Sequence, residues 1–315
     1  MDIRKLGRSG LETPRLVLGG NVFGWTSSGE EAFRLLDRFA EAGGTLIDTA
    51  DVYSAWVPGH KGGESETLLG EWLKRRGGAR GVMIATKVGM LPMGGDPELT
   101  PARIAAAAEA SLRRLGVEAI DLYYTHQDDA KTPLAETLAG FERLVRDGKV
   151  RAIGASNYSA ERLGEALDIS EREGLARYEV LQPEYNLMRR DRYEGALQDL
   201  CVARGIAVLP YFGLASGFLT GKYRSEADFG KSVRGDRMGA YLDERGRRVL
   251  AALDDVAAET EATPAQVALA WLAAQPGIAA PIASATSLAQ LEELLGVLTL
   301  DLSADQLERL SAAAA

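Results

Sequence analysis

Eight short runs rich in β-branched residues recur along the 315-residue chain, and each is apolar almost without interruption. They read LVLGG (16–20), TLIDTA (45–50), VMIATKV (82–88), AIDLYYTH (119–126), VRAIGAS (150–156), YEVLQPE (178–184), IAVLPYF (206–212) and IAAPIAS (278–284). A strand with one wet face alternates apolar and polar residues, whereas continuous runs suit parallel strands covered on both faces. From the second run to the seventh the starts fall roughly 28–37 residues apart, the repeat of successive strand–helix units. Most of the intervals carry apolar residues at three- and four-residue spacing, as in GEEAFRLLDRFAEAGG, ESETLLGEWLKRRGG, LAETLAGFERLVRDGK and SAERLGEALDISEREG.

Eight such strands with helices between them predict an α/β chain folded as a (β/α)8 TIM barrel rather than an open sheet. Helix punctuation supports it. Thr100 and Pro101 open one helix that ends at Gly116, and Thr263, Pro264 and Gly277 repeat the signature. The last interval is about twice as long as the others and holds a polar loop (222–243) and two helices. The opening IRKLGRSGLETPRLVLG reads as a β-hairpin turning at RSG, an N-terminal plug for the barrel's bottom. The tail DLSADQLERLSAAAA predicts an extra C-terminal helix beyond the one in SLAQLEELLGVL. With no low-complexity linker and no composition break, residues 1–315 are expected to form a single domain.

The composition bounds the function. A formal net charge of −9 argues against nucleic-acid or anionic-membrane partners and requires any anionic ligand to find a local basic patch. The single cysteine, Cys201, excludes an internal disulfide and reads as a small buried residue of a helix. The N-terminal stretch lacks the apolar core of a signal peptide, and no run of about 18 apolar residues spans a membrane. The expectation is a cytoplasmic protein, with a homo-oligomer possible.

Polar residues at the carboxyl ends of barrel strands are the catalytic candidates. The second run brings Asp48 to that rim, the third Lys87 and the fourth His126, with Tyr53 on the loop five residues after Asp48. Neighbouring strands lie about 4.8 Å apart, which places three adjacent strand ends within reach of one another. Hydride delivery to a carbonyl builds negative charge on oxygen, which a proton and hydrogen-bond donors must meet. Tyrosine, with a pKa of about 10, is a weak acid at neutral pH. A lysine beside the phenol is expected to lower that value, an aspartate to hold the lysine charged, and the histidine to donate to or orient the substrate oxygen.

The segments LIDTADVY (46–53), IATKVG (84–89), DLYYTHQ (121–127), AIGASNYS (152–159), LQPEYN (181–186) and LASGFLTGKY (214–223) resemble the motifs of the aldo-keto reductases, in that family's order. The resemblance runs from about residue 3 to residue 300 and is similar to the potassium-channel β-subunit-like branch. It implies an NAD(P)H-dependent oxidoreductase reducing an aldehyde or ketone, with Tyr53 as general acid and Lys87, Asp48 and His126 completing a tetrad. It implies that Ser156, Asn157 and Gln182 hold the nicotinamide carboxamide and that Tyr211 stacks on the ring. By the same resemblance Leu214, Ser216 and Gly217 line the pyrophosphate under a mobile loop. Thr286, Gln290 and Glu293 meet the adenosine end at a helix N-terminus, where free N–H groups suit a phosphate. NADPH is expected over NADH, which stays possible, because the loop brings Lys222, Arg224, Lys231, Arg234 and Arg237 to an acidic protein. Gln290, at a position often held by arginine in NADPH-selective relatives, argues the other way.

Other patterns fall away. GKY (221–223) is no P-loop, GASNY lacks the second glycine of a nucleophile elbow, and no G-x-G-x-x-G follows a strand. Asp51, His60, Glu64 and Glu66 read as a solvated glycine-rich loop opening a helix rather than a metal site, so no metal is expected. The loop 54–66 is longer than the family's usual link, Gln127 replaces a common aromatic, and Leu294 replaces an asparagine that helps hold the adenine. Phe23, Trp25 and Trp56 are expected to form an apolar wall beside Tyr53 for a bulky or aromatic carbonyl substrate. Two other readings compete: a redox-sensing subunit that binds nucleotide with little turnover, and an aldolase-like barrel using Lys87 as a Schiff-base nucleophile. The second needs a desolvated lysine of lowered pKa, and Asp48 opposes that.

Overall fold

The computed structural model describes residues 2–233 and 235–315. All eight apolar runs contain strands: β3 (Val17–Gly19), β4 (Leu46–Asp48), β5 (Met83–Val88), β6 (Ile120–Thr125), β7 (Val150–Ser156), β8 (Tyr178–Gln182), β9 (Ala207–Val208) and β10 (Ile282–Ala283). They pair in parallel in the order β10-β3-β4-β5-β6-β7-β8-β9. Backbone bonds then join the two ends of that order: Val208 N–H donates to Gly277 O at 3.0 Å and Ile282 N–H to Pro210 O at 2.9 Å. The sheet therefore curls into a (β/α)8 barrel.

The expected hairpin is present as β1 (Ile3–Lys5) paired antiparallel with β2 (Glu12–Pro14). Its loop carries Leu6 and Leu11, which pack with Val17, Leu46, Leu122 and Val180 from inside the barrel. The hairpin thus closes one end of the barrel with apolar side chains. Small residues let the interior close up. A Cβ on Gly154 of β7 would meet the Tyr124 ring of β6 at 2.5 Å, so the glycine admits the tyrosine.

The helices α1 (Gly29–Glu41), α2 (Glu64–Arg75), α3 (Pro101–Leu115), α4 (Leu134–Arg146), α5 (Ala160–Glu173) and α6 (Ala196–Arg204) follow the strands in turn. Thr100 caps α3 by accepting from Arg103 N–H, and Gly116 ends it in a left-handed conformation. After β9 come α7 (Glu244–Thr260) and α8 (Pro264–Ala273), and after β10 come α9 (Leu288–Leu295) and α10 (Ala304–Ala313). Thr263 and Gln266 form a reciprocal cap on α8. That helix ends at Ala273 rather than running to Gly277, because Pro276 cannot continue it. The extra helices α7 and α10 lie against each other. The polar loop is less irregular than its composition suggests, since it contains 3₁₀ segments at Glu226–Lys231 and Gly235–Tyr241. Among the described residues no helix is long and apolar enough to cross a membrane.

Candidate active site

The rim at the carboxyl ends of the strands brings the four predicted side chains together. Asp48 ends β4, Lys87 stands one residue before the end of β5, and His126 follows β6, its N–H bonded to Val88 O at 2.8 Å. Lys87 is fully buried and distributes its ammonium hydrogens three ways. They go to Asp48 Oδ2 at 2.7 Å, to the Thr49 carbonyl at 2.7 Å and to the Tyr53 phenol oxygen at 2.8 Å. Gln182 Nε2 anchors the other carboxylate oxygen, Asp48 Oδ1, at 2.8 Å. The phenol lies 3.2 Å from Asp48 Oδ2, and its ring meets the His126 imidazole edge-on at 5.9 Å between centroids.

Burial sets the charges. It pushes the Lys87 ammonium below the ordinary lysine range, with Asp48 opposing. Burial first and the Lys87 charge second hold His126 neutral, well below the usual imidazole value. The sequence reading has Lys87 lower the phenol's pKa. In the structure, burial and then the Asp48 carboxylate hold the Tyr53 phenol well above its ordinary value. Tyr53 therefore rests as a neutral, proton-loaded phenol whose oxygen already accepts from a cation. Such an arrangement can release a proton to a developing alkoxide, and the Lys87 hydrogen bond strengthens on the phenolate left behind.

Above the rim opens a cavity of about 770 Å³. Tyr53, Asp48 and His126 line its floor, with Ser156, Asn157 and Gln182 beside them. Tyr211, Leu214, Ser216, Gly217 and Lys222 form one wall, with Thr286 before α9 and Gln290 and Glu293 on that helix also lining the cavity. Polar groups along this wall hold one another in place. Ser156 Oγ donates to Gln182 O at 2.8 Å, and Tyr211 Oη donates to Asn157 Oδ1 at 2.8 Å. Thr286 donates to Gln290 Oε1 through its N–H at 2.9 Å and its hydroxyl at 3.0 Å, while Ser287 caps α9.

A sequence profile described as the Aldo/keto reductase family matches residues 15–315. The chain belongs to that family. It is 33% identical to "Aldo-keto reductase str7" of Strobilurus tenacellus over 97% of this chain and 84% of that protein. It is 31% identical to "Probable voltage-gated potassium channel subunit beta" of Arabidopsis thaliana over 93% of this chain and 90% of that one. With "Aldo-keto reductase yakc [NADP(+)]" of Schizosaccharomyces pombe it shares 32% identity over 88% of this chain and 80% of that one. Aldo-keto reductases are oxidoreductases that act on small carbonyl compounds with nicotinamide cofactors.

The cavity of this aldo-keto reductase fits such a cofactor on its own evidence. Asn157, Phe212 and Ser216 on its wall have positive φ values of 60°, 55° and 58°, which non-glycine residues adopt at a cost. Strain gathered on one wall, beside an aromatic ring and a set of amide and hydroxyl groups, marks a surface shaped for a ligand. The basic patch is smaller than the sequence suggests. Arg224 pairs with Asp254, and Lys231 pairs with Asp228, so these two are neutralised away from the cavity. Arg234 lies outside the described residues, and Lys222 is the cation lining the cavity among the described ones.

Two further expectations are corrected. Trp25 and Trp56 stand edge to face, 5.7 Å apart, on the cavity wall, but Phe23 is fully buried and packs in the core instead. Its position in a tight turn, with its N–H bonded to Gly20 O, points the ring inward. Asp51 and Glu66 are not solvated: they are 2% and 0% exposed. Sequence reasoning also missed Asn21, which accepts from Ser284 Oγ at 2.7 Å across the first and last barrel strands, and Met90 on the opposite wall. Polar residues just beyond the ends of β3 and β10 were the available signal. The bond from Gln182 to Asp48 joins residues 134 apart, and nothing local announces it.

Proposed function

We propose that this chain reduces an aldehyde or ketone to an alcohol with NADPH, Tyr53 giving the proton. One observation carries the reading: Lys87, locked by Asp48, donates at 2.8 Å to the oxygen of a protonated phenol that faces the cavity. When bound, the nicotinamide supplies the hydride. Ser156, Asn157 and Gln182 would hold its carboxamide, and Tyr211 would stack on its ring. His126, kept neutral, positions the carbonyl oxygen near Tyr53. Lys87 steadies the phenolate as the proton leaves, and the charge of Asp48 stays compensated throughout. Trp25 and Trp56 offer the substrate an apolar face, which favours bulky or aromatic carbonyl compounds over charged ones.

NADPH is preferred in this reading because Lys222 meets the cavity and Thr286 stands before α9, and the yeast relative's name carries NADP(+). The protein acts on a small molecule, with no nucleic acid or membrane required, in the cytoplasm and as one domain. Tyr53→Phe keeps the ring and removes the proton. Reduction of 4-nitrobenzaldehyde, followed by NADPH absorbance, is expected to fall at least about a hundredfold with nucleotide affinity little changed. Near-normal kcat in Tyr53→Phe would overturn the assignment. The kinship to a potassium channel β subunit favours a second reading, a nucleotide-sensing subunit. Negligible turnover of every aldehyde offered, with tight NADPH binding, would favour it.

A further inference from the structure

Behind the rim lies a second layer of charge that the reaction as described leaves unused. Asp51 sits between Asp48 and Tyr53 in the chain, and its N–H donates to the carbonyl of Lys87 at 3.3 Å. The residue is 2% exposed, and neither of its carboxylate oxygens has a partner in good hydrogen-bonding geometry, the adjacent Val52 N–H alone favouring its charged form from the backbone. Glu66, at the start of α2, is fully buried beside it. Its oxygens accept from Thr86 Oγ1 at 2.6 Å and from Arg114 Nε at 2.6 Å. The groups facing Asp51 are therefore Glu66 from α2, Arg103 and Arg114 from α3, Lys87 from β5 and Tyr123 from β6.

A buried carboxyl without well-placed hydrogen-bond donors on its oxygens is costly. Its nearest unmet need is electrostatic. Lys87 is fully buried, and a single direct carboxylate, Asp48, stands against the desolvation of its ammonium. We propose that Asp51, with Glu66 behind it, is a positioning residue that keeps Lys87 charged on the alkaline side of neutrality. The inference rests on the reading of Tyr53 and Lys87 as the proton-transfer pair.

The two titrations run in a useful order. Burial, and then the neighbouring Glu66, hold the Asp51 carboxyl up at about 7. Below that pH Asp51 is neutral and adds no charge beside Lys87. As the pH rises past it Asp51 ionises, and its negative charge opposes loss of the Lys87 proton.

The test reads Lys87 directly. In full-length protein labelled with 13C-lysine, the Lys87 side-chain signal, assigned by its loss in Lys87→Met, is titrated from pH 5 to 11. Asp51→Asn is expected to move the alkaline midpoint down by at least about half a unit, a roughly threefold change in the ratio of charged to neutral lysine at fixed pH. The alkaline limb of aldehyde reduction should move with it. Asp121→Asn is the control, because Asp121 is buried at the start of β6 beneath Ile84, far from the rim. An Asp51→Asn midpoint equal to wild type, or a shift matched by Asp121→Asn, would sink the proposal. If Asp51→Asn does not fold, the wild type decides: its Lys87 signal should show a small inflection near pH 7 as Asp51 ionises, and a featureless trace there counts against the idea. Absence of turnover would fail the reductase reading while leaving the titration of Lys87 to judge this one.

Discussion

Lys87 is the residue on which the rim's chemistry turns, because its three hydrogen bonds fix Asp48, the Thr49 carbonyl and Tyr53 at once. Lys87→Met removes all three and leaves Asp48, 2% exposed, with no cationic partner, held by Gln182 and the Tyr53 phenol. Breaking one side of a buried pair typically costs about 3–5 kcal/mol. Thermal unfolding should show a loss of that order, and aldehyde reduction should be abolished. A Lys87→Met protein as stable as the wild type would contradict the pairing. In the wild type, burial depresses the Lys87 value, so the proton is lost at lower pH than from a free lysine. Reduction should therefore decline at alkaline pH, beginning below the ordinary lysine value of about 10.4. A profile flat to pH 10 contradicts the arrangement.

At the scale of elements, the proposed cofactor wall depends on two segments distant in sequence, the stretch after β9 and the region of α9. Their capacity to recognise a 2′-phosphate differs from what the loop's composition promises. Arg224 and Lys231 are spent on Asp254 and Asp228, which leaves Lys222 facing the cavity. Selectivity that rests on one described cation should be moderate and removable. Tryptophan-quenching titrations should find NADPH bound more tightly than NADH in the wild type, and Lys222→Ala should erase about tenfold of the difference, the worth of one charge-assisted bond. Tighter NADH binding in the wild type would refute it. Helix boundaries were readable from caps such as Thr100 and Thr263, since those signals are local. The pairing of Arg224 with Asp254 was not, because 30 residues separate them.

For the whole molecule, the buried layer behind the rim exchanges stability for function. The Asp51 carboxyl, held up at about 7 in the fold against about 3.9 in an unfolded chain, binds a proton more readily when folded. Its contribution is therefore favourable at low pH and is lost as the pH rises from about 4 through 7, by on the order of 4 kcal/mol. Asp51→Asn should be more stable than wild type at pH 8 and gain little at pH 4, as measured by urea unfolding at the two pH values. Equal gains at both would show that the carboxyl is not neutralised in the native state. The barrel itself is legible in the chain. Eight continuous apolar runs at a regular interval leave little else to build, and the strand ends carried Asp48, Lys87 and His126 to one rim. What the sequence could not carry was burial. Phe23 and Trp25 are two residues apart and equally apolar, yet one turn sends the first into the core and leaves the second on the cavity wall. Asp51 and Glu66 look like solvated loop acids until α2 and α3 close over them. The chain's own pattern determined which elements form and which polar groups reach the rim, because periodicity and capping act within a few residues. Whether a phenol rests protonated and which carboxylates lie dry were decided only by the closed barrel, since desolvation depends on neighbours that tertiary packing supplies.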